Sequence, residues 1–192
     1  MTDATAGPGA VTRSIVVRVG VATAVSALCG YAVLYLAARD LEPAGFSVFG
    51  VFWGAFGLVS GAAFGLLQET TREVRQAAGP VPSGERTRPM RVAVGVGLGA
   101  AAVIVVTSPL WAAHVFADAR LLSVVLLSAG LAGFCLHTTL LGLLAGLNRW
   151  SEYGALMVAD AVLRVAVAAV SFAVGWGLGG YLWATVAGSI GW

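Results

Sequence analysis

Two ionisable residues stand in a stretch from which the rest of the sequence excludes charge. Asp160 and Arg164 lie inside the apolar run Tyr153 to Leu178. Counted from Tyr153, they sit about 10 and 16 Å along a helix axis, which puts Arg164 close to the middle of a bilayer. Each costs about 2.5 to 3.5 kcal/mol at that depth, and more if isolated. Their i, i+4 spacing places them on one helix face with the acid N-terminal, the better order for an ion pair. Two readings follow. The pair neutralises itself inside a helix bundle, or it lines a water-filled cavity or ion site, the default meaning of intramembrane charge. His137, beside Cys135, Thr138 and Thr139 in another apolar run, either hydrogen-bonds a neighbouring helix or shuttles protons or binds a ligand. His114 falls near a helix end and reads as interfacial. Cys29 and Cys135 sit at membrane depth, where unpaired thiols behave as small hydrophobes. There is no metal-ligand spacing, nucleophile elbow, Walker motif or paired-carboxylate site. No cofactor, metal or catalytic residue is therefore expected, and nothing argues for an enzyme.

The elements that must position these groups follow from composition. The chain has 192 residues, of which 59% are hydrophobic and only 10% charged. A soluble protein carries about 25% charged residues, so this chain could not cover its surface with polar groups and takes the bilayer as its solvent. Only 2 Cys and a set of 26 Gly without a period of three exclude a disulfide scaffold and a collagen-like repeat. A net charge of +2, with all 11 basic residues Arg and none gathered into a stripe, excludes a nucleic-acid surface.

Five stretches are long enough, at about 20 apolar residues, to cross the membrane: 19–38, 44–67, 92–116, 121–147 and 153–178. A sixth begins at Tyr181 and stops at Trp192, about 18 Å of helix, so the chain is expected to end inside it. The expected fold is thus all-α, a polytopic bundle of five full transmembrane helices plus a truncated sixth. A tail over 1–18 precedes it, and a linker over 69–91 carries the flexible Gly79-Pro80-Val81-Pro82-Ser83-Gly84. Arg13, Arg18, Arg72, Arg75, Arg86, Arg88, Arg91 and Arg149 fall on one side, against Arg39 and Arg120 on the other. The positive-inside rule then places the N-terminus and that linker in the cytoplasm. Trp111, Trp150, Trp176, Trp183 and Trp192 suit an aromatic belt.

Helices in lipid associate through close contact of small residues. Gly50, Gly54, Gly57, Gly61 and Gly65 stack along one face of the second span, and Gly95 with Gly99 and Gly142 with Gly146 repeat the theme. Packing within one bundle is the favoured reading, a homodimer seam the other. Pro109 should kink the third span and free backbone groups that must find partners. Gly95-x-Gly97-x-x-Ala100 loosely fits a dinucleotide-binding pattern, but it follows no strand and is set aside.

Several short motifs, in order along most of the chain, resemble the N-terminal half of the polysaccharide and lipid-linked oligosaccharide flippases of the multidrug/oligosaccharidyl-lipid/polysaccharide exporter superfamily. Ala38-Arg39-Asp40-Leu41-Glu42-Pro43-Ala44-Gly45-Phe46-Ser47 resembles that family's A-R-x-L-G-P-x-x-[FY]-G, with Glu42 and Ser47 departing from its two glycines. Glu69-Thr70-Thr71-Arg72-Glu73 is similar to the basic exit of its second helix. Gly142, Gly146, Asn148-Arg149-Trp150 and Tyr153, then Asp160 and Arg164, resemble its fourth helix, short turn and fifth helix. Gly180-Tyr181-Leu182-Trp183-Ala184 resembles the start of its sixth. The resemblance implies a multi-pass protein of the cell membrane, part of the machinery of polysaccharide biosynthesis. It implies two lobes of six helices that rock around a central cavity, so that a second lobe is missing here. Through that cavity passes the head of a polyprenyl-pyrophosphate-linked glycan. Arg164 would then meet the diphosphate, Asp160 would hold a coupling ion or proton or hold Arg164 in the absence of substrate, His137 would join the cavity, and Arg39 and Arg72 would stand at its two mouths. Two further classes remain open: a non-transporting membrane scaffold or assembly subunit, and an intramembrane enzyme using His137 and Asp160.

Overall fold

The computed structural model describes residues 8–77, 88–116 and 120–191, with the side chains of 8–12, 14 and 113–115 left out of that description. Gly79 to Gly84, Arg86, Trp192 and the His114 side chain therefore lie outside the described residues. Among the described residues six helices follow one another: α1 (Pro8–Asp40), α2 (Pro43–Ala77), α3 (Pro89–Val115), α4 (Arg120–Gly146), α5 (Trp150–Val174) and α6 (Gly177–Ile190). The first five are long and apolar enough to cross a membrane. The chain is an all-α bundle of an integral membrane protein, as its composition requires.

The helices outrun the apolar spans in informative places. Residues assigned to a tail and a linker are partly helical, since α1 begins at Pro8 and α2 runs to Ala77. Hydropathy marks where lipid ends, not where a helix does. The polar extension of α2 is rich in good helix formers and carries an Arg72–Glu69 ion pair one turn apart at 2.7 Å. At about 52 Å, the 35 residues of α2 exceed the roughly 30 Å of hydrocarbon, so its last turns can stand outside it.

α5 stops four residues before the end of the apolar run. Gly175 adopts φ 68° and donates its N–H to the Phe172 carbonyl, while Trp176 donates to Ser171. This left-handed C-terminal cap needs glycine at no steric cost. Gly177, at φ 63°, completes the corner. The break is thus at Gly175 and Gly177, and Gly179 and Gly180 lie inside α6.

Pro109 lies within an unbroken α3. It has no N–H for the carbonyl of Val105, and the Ser108 hydroxyl donates to that carbonyl at 2.8 Å. The freed acceptor is thereby satisfied next door.

α4 is the central helix and the most deeply buried of the five spanning helices, whereas α1 and α3 are largely exposed. It lies between α2 and α3, while α1 packs on α5, and α6 wedges between α4 and α5 and reaches α1 and α2. α1 and α2 touch each other little, although they are consecutive. At the end where α1 meets α2, Phe49, Phe52, Phe116 and Tyr181 are fully buried and meet edge to face at about 6 Å. Tyr181 donates its hydroxyl to the Leu36 carbonyl at 3.3 Å, pinning the start of α6 to α1.

Candidate functional site

The Asp160–Arg164 pair forms in the membrane-spanning part of α5. Arg164 donates from Nε to Asp160 Oδ2 at 3.1 Å and from a terminal nitrogen to Oδ1 at 3.2 Å, a forked arrangement that matches guanidinium to carboxylate. Both side chains are 15% exposed. The spacing expected from sequence is thus realised, and the pair faces inward.

What it faces is α6. Arg164 donates to the Thr185 carbonyl at 2.7 Å and to Ser189 Oγ at 3.1 Å. Its guanidinium carbon lies 5.6 Å from the ring centroid of Phe56 on α2. Gly188 is what lets α6 come so close, because a Cβ there would fall on the Asp160 carboxylate. A carboxylate and a guanidinium that would each be costly in hydrocarbon are therefore matched to each other, to two polar groups of α6 and to one aromatic face. Phe56, Thr185, Gly188 and Ser189 carried no role in the sequence reading. The signal was present in α6, where Thr185 and Ser189 recur at i, i+4 with Gly188 beside them in a 14-residue apolar helix.

His137 on α4 is buried at 3% exposure and stacks on Phe134 with ring centroids 6.2 Å apart. Phe134 meets Phe56 edge to face at 6.0 Å. Phe134 and Phe56 thus link His137 to Arg164 through successive ring contacts, and the imidazole belongs to the same core as the ion pair.

Arg39 and Arg72 do not join this group. Arg39 lies in the last turn of α1, donating from Nε to the Tyr35 hydroxyl at 3.1 Å with its guanidinium carbon 5.4 Å from that ring centroid. Arg72 is exposed on the α2 extension and pairs with Glu69. The 29 residue steps of α2 from Pro43 to Arg72 span about 44 Å, so the two arginines occupy opposite ends of the bundle.

The glycines divide. Gly142 and Gly146 pack against α2: an added Cβ would lie 2.7 Å from the Leu67 carbonyl oxygen at one and 2.6 Å from Val74 Cβ at the other. The Thr71 hydroxyl donates across the same contact to the Gly142 carbonyl at 3.1 Å. Gly50, Gly54, Gly57, Gly61 and Gly65 do not pack within the described bundle, since an added Cβ at any of them meets nothing within 4 Å. Packing inside one bundle is thus met by Gly142 and Gly146 and, among the described residues, not by these five. α2 turns Phe49, Phe52, Phe56, Ser60 and Ala63 inward, and at 100° per residue the five glycines fall on the opposite side. On α3, Gly95 and Gly99 are likewise open, and the contact glycine is Gly97, where an added Cβ would lie 3.2 Å from the Ala132 Cα.

Known proteins extend the picture in length. An uncharacterized protein of Mycobacterium tuberculosis is 67% identical over 189 residues, covering 97% of this chain and 44% of the relative. An uncharacterized protein of Mycobacterium bovis gives the same identity and coverage. Another uncharacterized protein of Mycobacterium tuberculosis is 58% identical over 196 residues, covering all of this chain and 45% of the relative. The chain spans less than half the length of the curated relatives it matches. No family model matches the chain, and no solved structure does.

Proposed function

We propose that this chain is one lobe of a membrane flippase that moves a polyprenyl-pyrophosphate-linked oligosaccharide or polysaccharide precursor by alternating access. The observation that carries the reading is the open glycine face of α2, a close-packing surface where an added Cβ would meet no described atom within 4 Å. The outward face of α1 supports it, because Tyr31 is 73% exposed in a spanning helix, nine residues before the end of α1 at Asp40. A phenolic hydroxyl there is better matched by a polar cavity than by lipid tails. Relatives more than twice as long leave room for a second lobe.

In this reading Asp160 holds Arg164 while no substrate is present, and α6 closes over the pair. A diphosphate that parts α5 from α6 takes the guanidinium from the carboxylate, and Asp160 is released to take a coupling ion or proton. Arg39 and Arg72 mark the two mouths. The test is reconstitution of the full-length protein in liposomes with a fluorescent polyprenyl-diphosphate glycan. The expected result is lipid movement well above that in empty liposomes, reduced at least about tenfold by Arg164→Ala or Asp160→Asn, the loss that follows from about 1.4 kcal/mol of transition-state stabilisation. No movement by the unaltered protein rejects the flippase. Movement unchanged by the variants rejects the role of the pair.

One observation favours the other class, a scaffold or assembly subunit. Arg164 already makes hydrogen bonds to Asp160, Thr185 and Ser189 within its own bundle. A purely structural pair would leave the open face of α2 as the functional surface, and the unaltered protein would then move no lipid.

A further inference from the structure

At the end of the bundle where α2 finishes and α5 begins, an open cleft of about 600 Å³ separates the two helices. Its surfaces differ in chemistry. Arg72 and Arg75 line it from the α2 extension, Trp150 and Tyr153 from the first turn of α5, and Leu67 and Ala145 supply apolar surface. The two rings meet edge to face with centroids 5.7 Å apart. The Trp150 N–H is directed to Asn148 Oδ1 in the α4–α5 turn.

Two nearby carboxylates are already matched. Glu69 holds Arg72 at 2.7 Å, and Glu152 holds Arg149 at 2.9 Å. Arg75, in the last turn of α2, makes no ion pair with a described residue. Its charge complements the carbonyl end of that helix, but this does not account for an aromatic and apolar wall facing it. A positive charge at one side of a cleft, with rings and aliphatic surface at the other, matches a molecule with an anionic head and a hydrocarbon tail. Arginine pairs well with phosphate oxygens. Tryptophan and tyrosine settle at the depth of lipid headgroups.

We propose that this cleft binds the phosphate head of an anionic membrane lipid. Arg75 and Arg72 hold the phosphate, and the start of the acyl chain lies along Leu67, Ala145 and the two rings. The arginine distribution puts this end of the bundle in the cytoplasm, where anionic lipid and basic pockets between helices meet. The inference is independent of whether the protein moves a glycan lipid.

The test is native mass spectrometry of the full-length protein in detergent, titrated separately with phosphatidylglycerol, phosphatidylcholine and inorganic phosphate. Phosphatidylglycerol should be retained over phosphatidylcholine, with Arg72→Gln and Arg75→Gln each weakening retention about fivefold, the effect of one arginine near an anionic surface. Arg91→Gln, at the same end of the bundle but outside the cleft, should leave retention unchanged. Equal loss in Arg91→Gln would assign the effect to general surface potential and overturn the site. Equal retention of phosphatidylcholine would overturn the role of charge. Binding of inorganic phosphate as tight as that of phosphatidylglycerol, with the same arginine dependence, would overturn the lipid in favour of a free anion.

Discussion

Arg164 illustrates how one residue can be expensive alone and stable in company. In the bundle its guanidinium has the forked carboxylate of Asp160, the Thr185 carbonyl, the Ser189 hydroxyl and the Phe56 ring. Removing the cation strands a carboxylate against Gly188, at the place where α6 comes closest to α5. Breaking a buried pair from one side costs about 3 to 5 kcal/mol, whereas replacing both partners with apolar residues of similar volume is often neutral. Arg164→Ala should therefore lower the thermal stability of the detergent-solubilised full-length protein strongly, and Asp160→Leu with Arg164→Met should recover most of the loss. A double variant as unstable as the single one would mean that the contacts to α6, not the ion pair, dominate. The i, i+4 spacing made the pair itself legible, because helix geometry is local. Its attachment to α6 was not, because Thr185 and Ser189 lie more than 20 positions along the chain, and only the corner at Gly175 and Gly177 turns them back.

α2 shows the same division at the scale of an element. Its glycine stripe is plain in the sequence, yet a stripe does not say which side of the helix the bundle will take. Phenylalanines decide it. Phe49, Phe52 and Phe56 offer far more contact surface than the glycines opposite, and they fill the space beside α4 and α6. The small residues that bring another helix close to α2 are those of α4, where Gly142 and Gly146 admit Leu67, Thr70 and Val74. This contrast can be measured through Ala63 and Cys135, which share a buried cluster between α2 and α4. In a Cys29→Ala background, Ala63→Cys should crosslink to Cys135. Adding Gly142→Ala should slow that crosslink several-fold, since overpacking of a tight contact costs about 1 to 3 kcal/mol. Adding Gly61→Ala should leave it unchanged, and an equal effect of the two would place the glycine stripe inside the bundle after all.

The molecule as a whole threads the bilayer with five spanning helices and sets α6 back among them. The C-terminal end of α2 and the start of α5 therefore belong to one face of the membrane, and the α5–α6 corner to the other. Single cysteines introduced as Gln76→Cys and Trp176→Cys, in a background lacking Cys29 and Cys135, should react with an impermeant maleimide from opposite sides. From the arginine distribution, Gln76→Cys is the one reached from the cytoplasm. Labelling of both from one side would overturn the five-crossing topology. At this scale α2 turns a glycine face away from the described bundle and α1 exposes Tyr31, and the relatives are more than twice as long as this chain.

The sequence by itself determined the solvent, the number of crossings and the positions of the intramembrane charges. Each of these depends on the composition of one segment or on spacing within one helix. The tertiary structure decided which helix is central, that α6 closes over the ion pair, that His137 shares its core through Phe134 and Phe56, and that the α2 glycines face outward. These depend on competition among faces of different helices for the same space. The larger aromatic surfaces prevail in that competition, and no periodicity within one helix records its result.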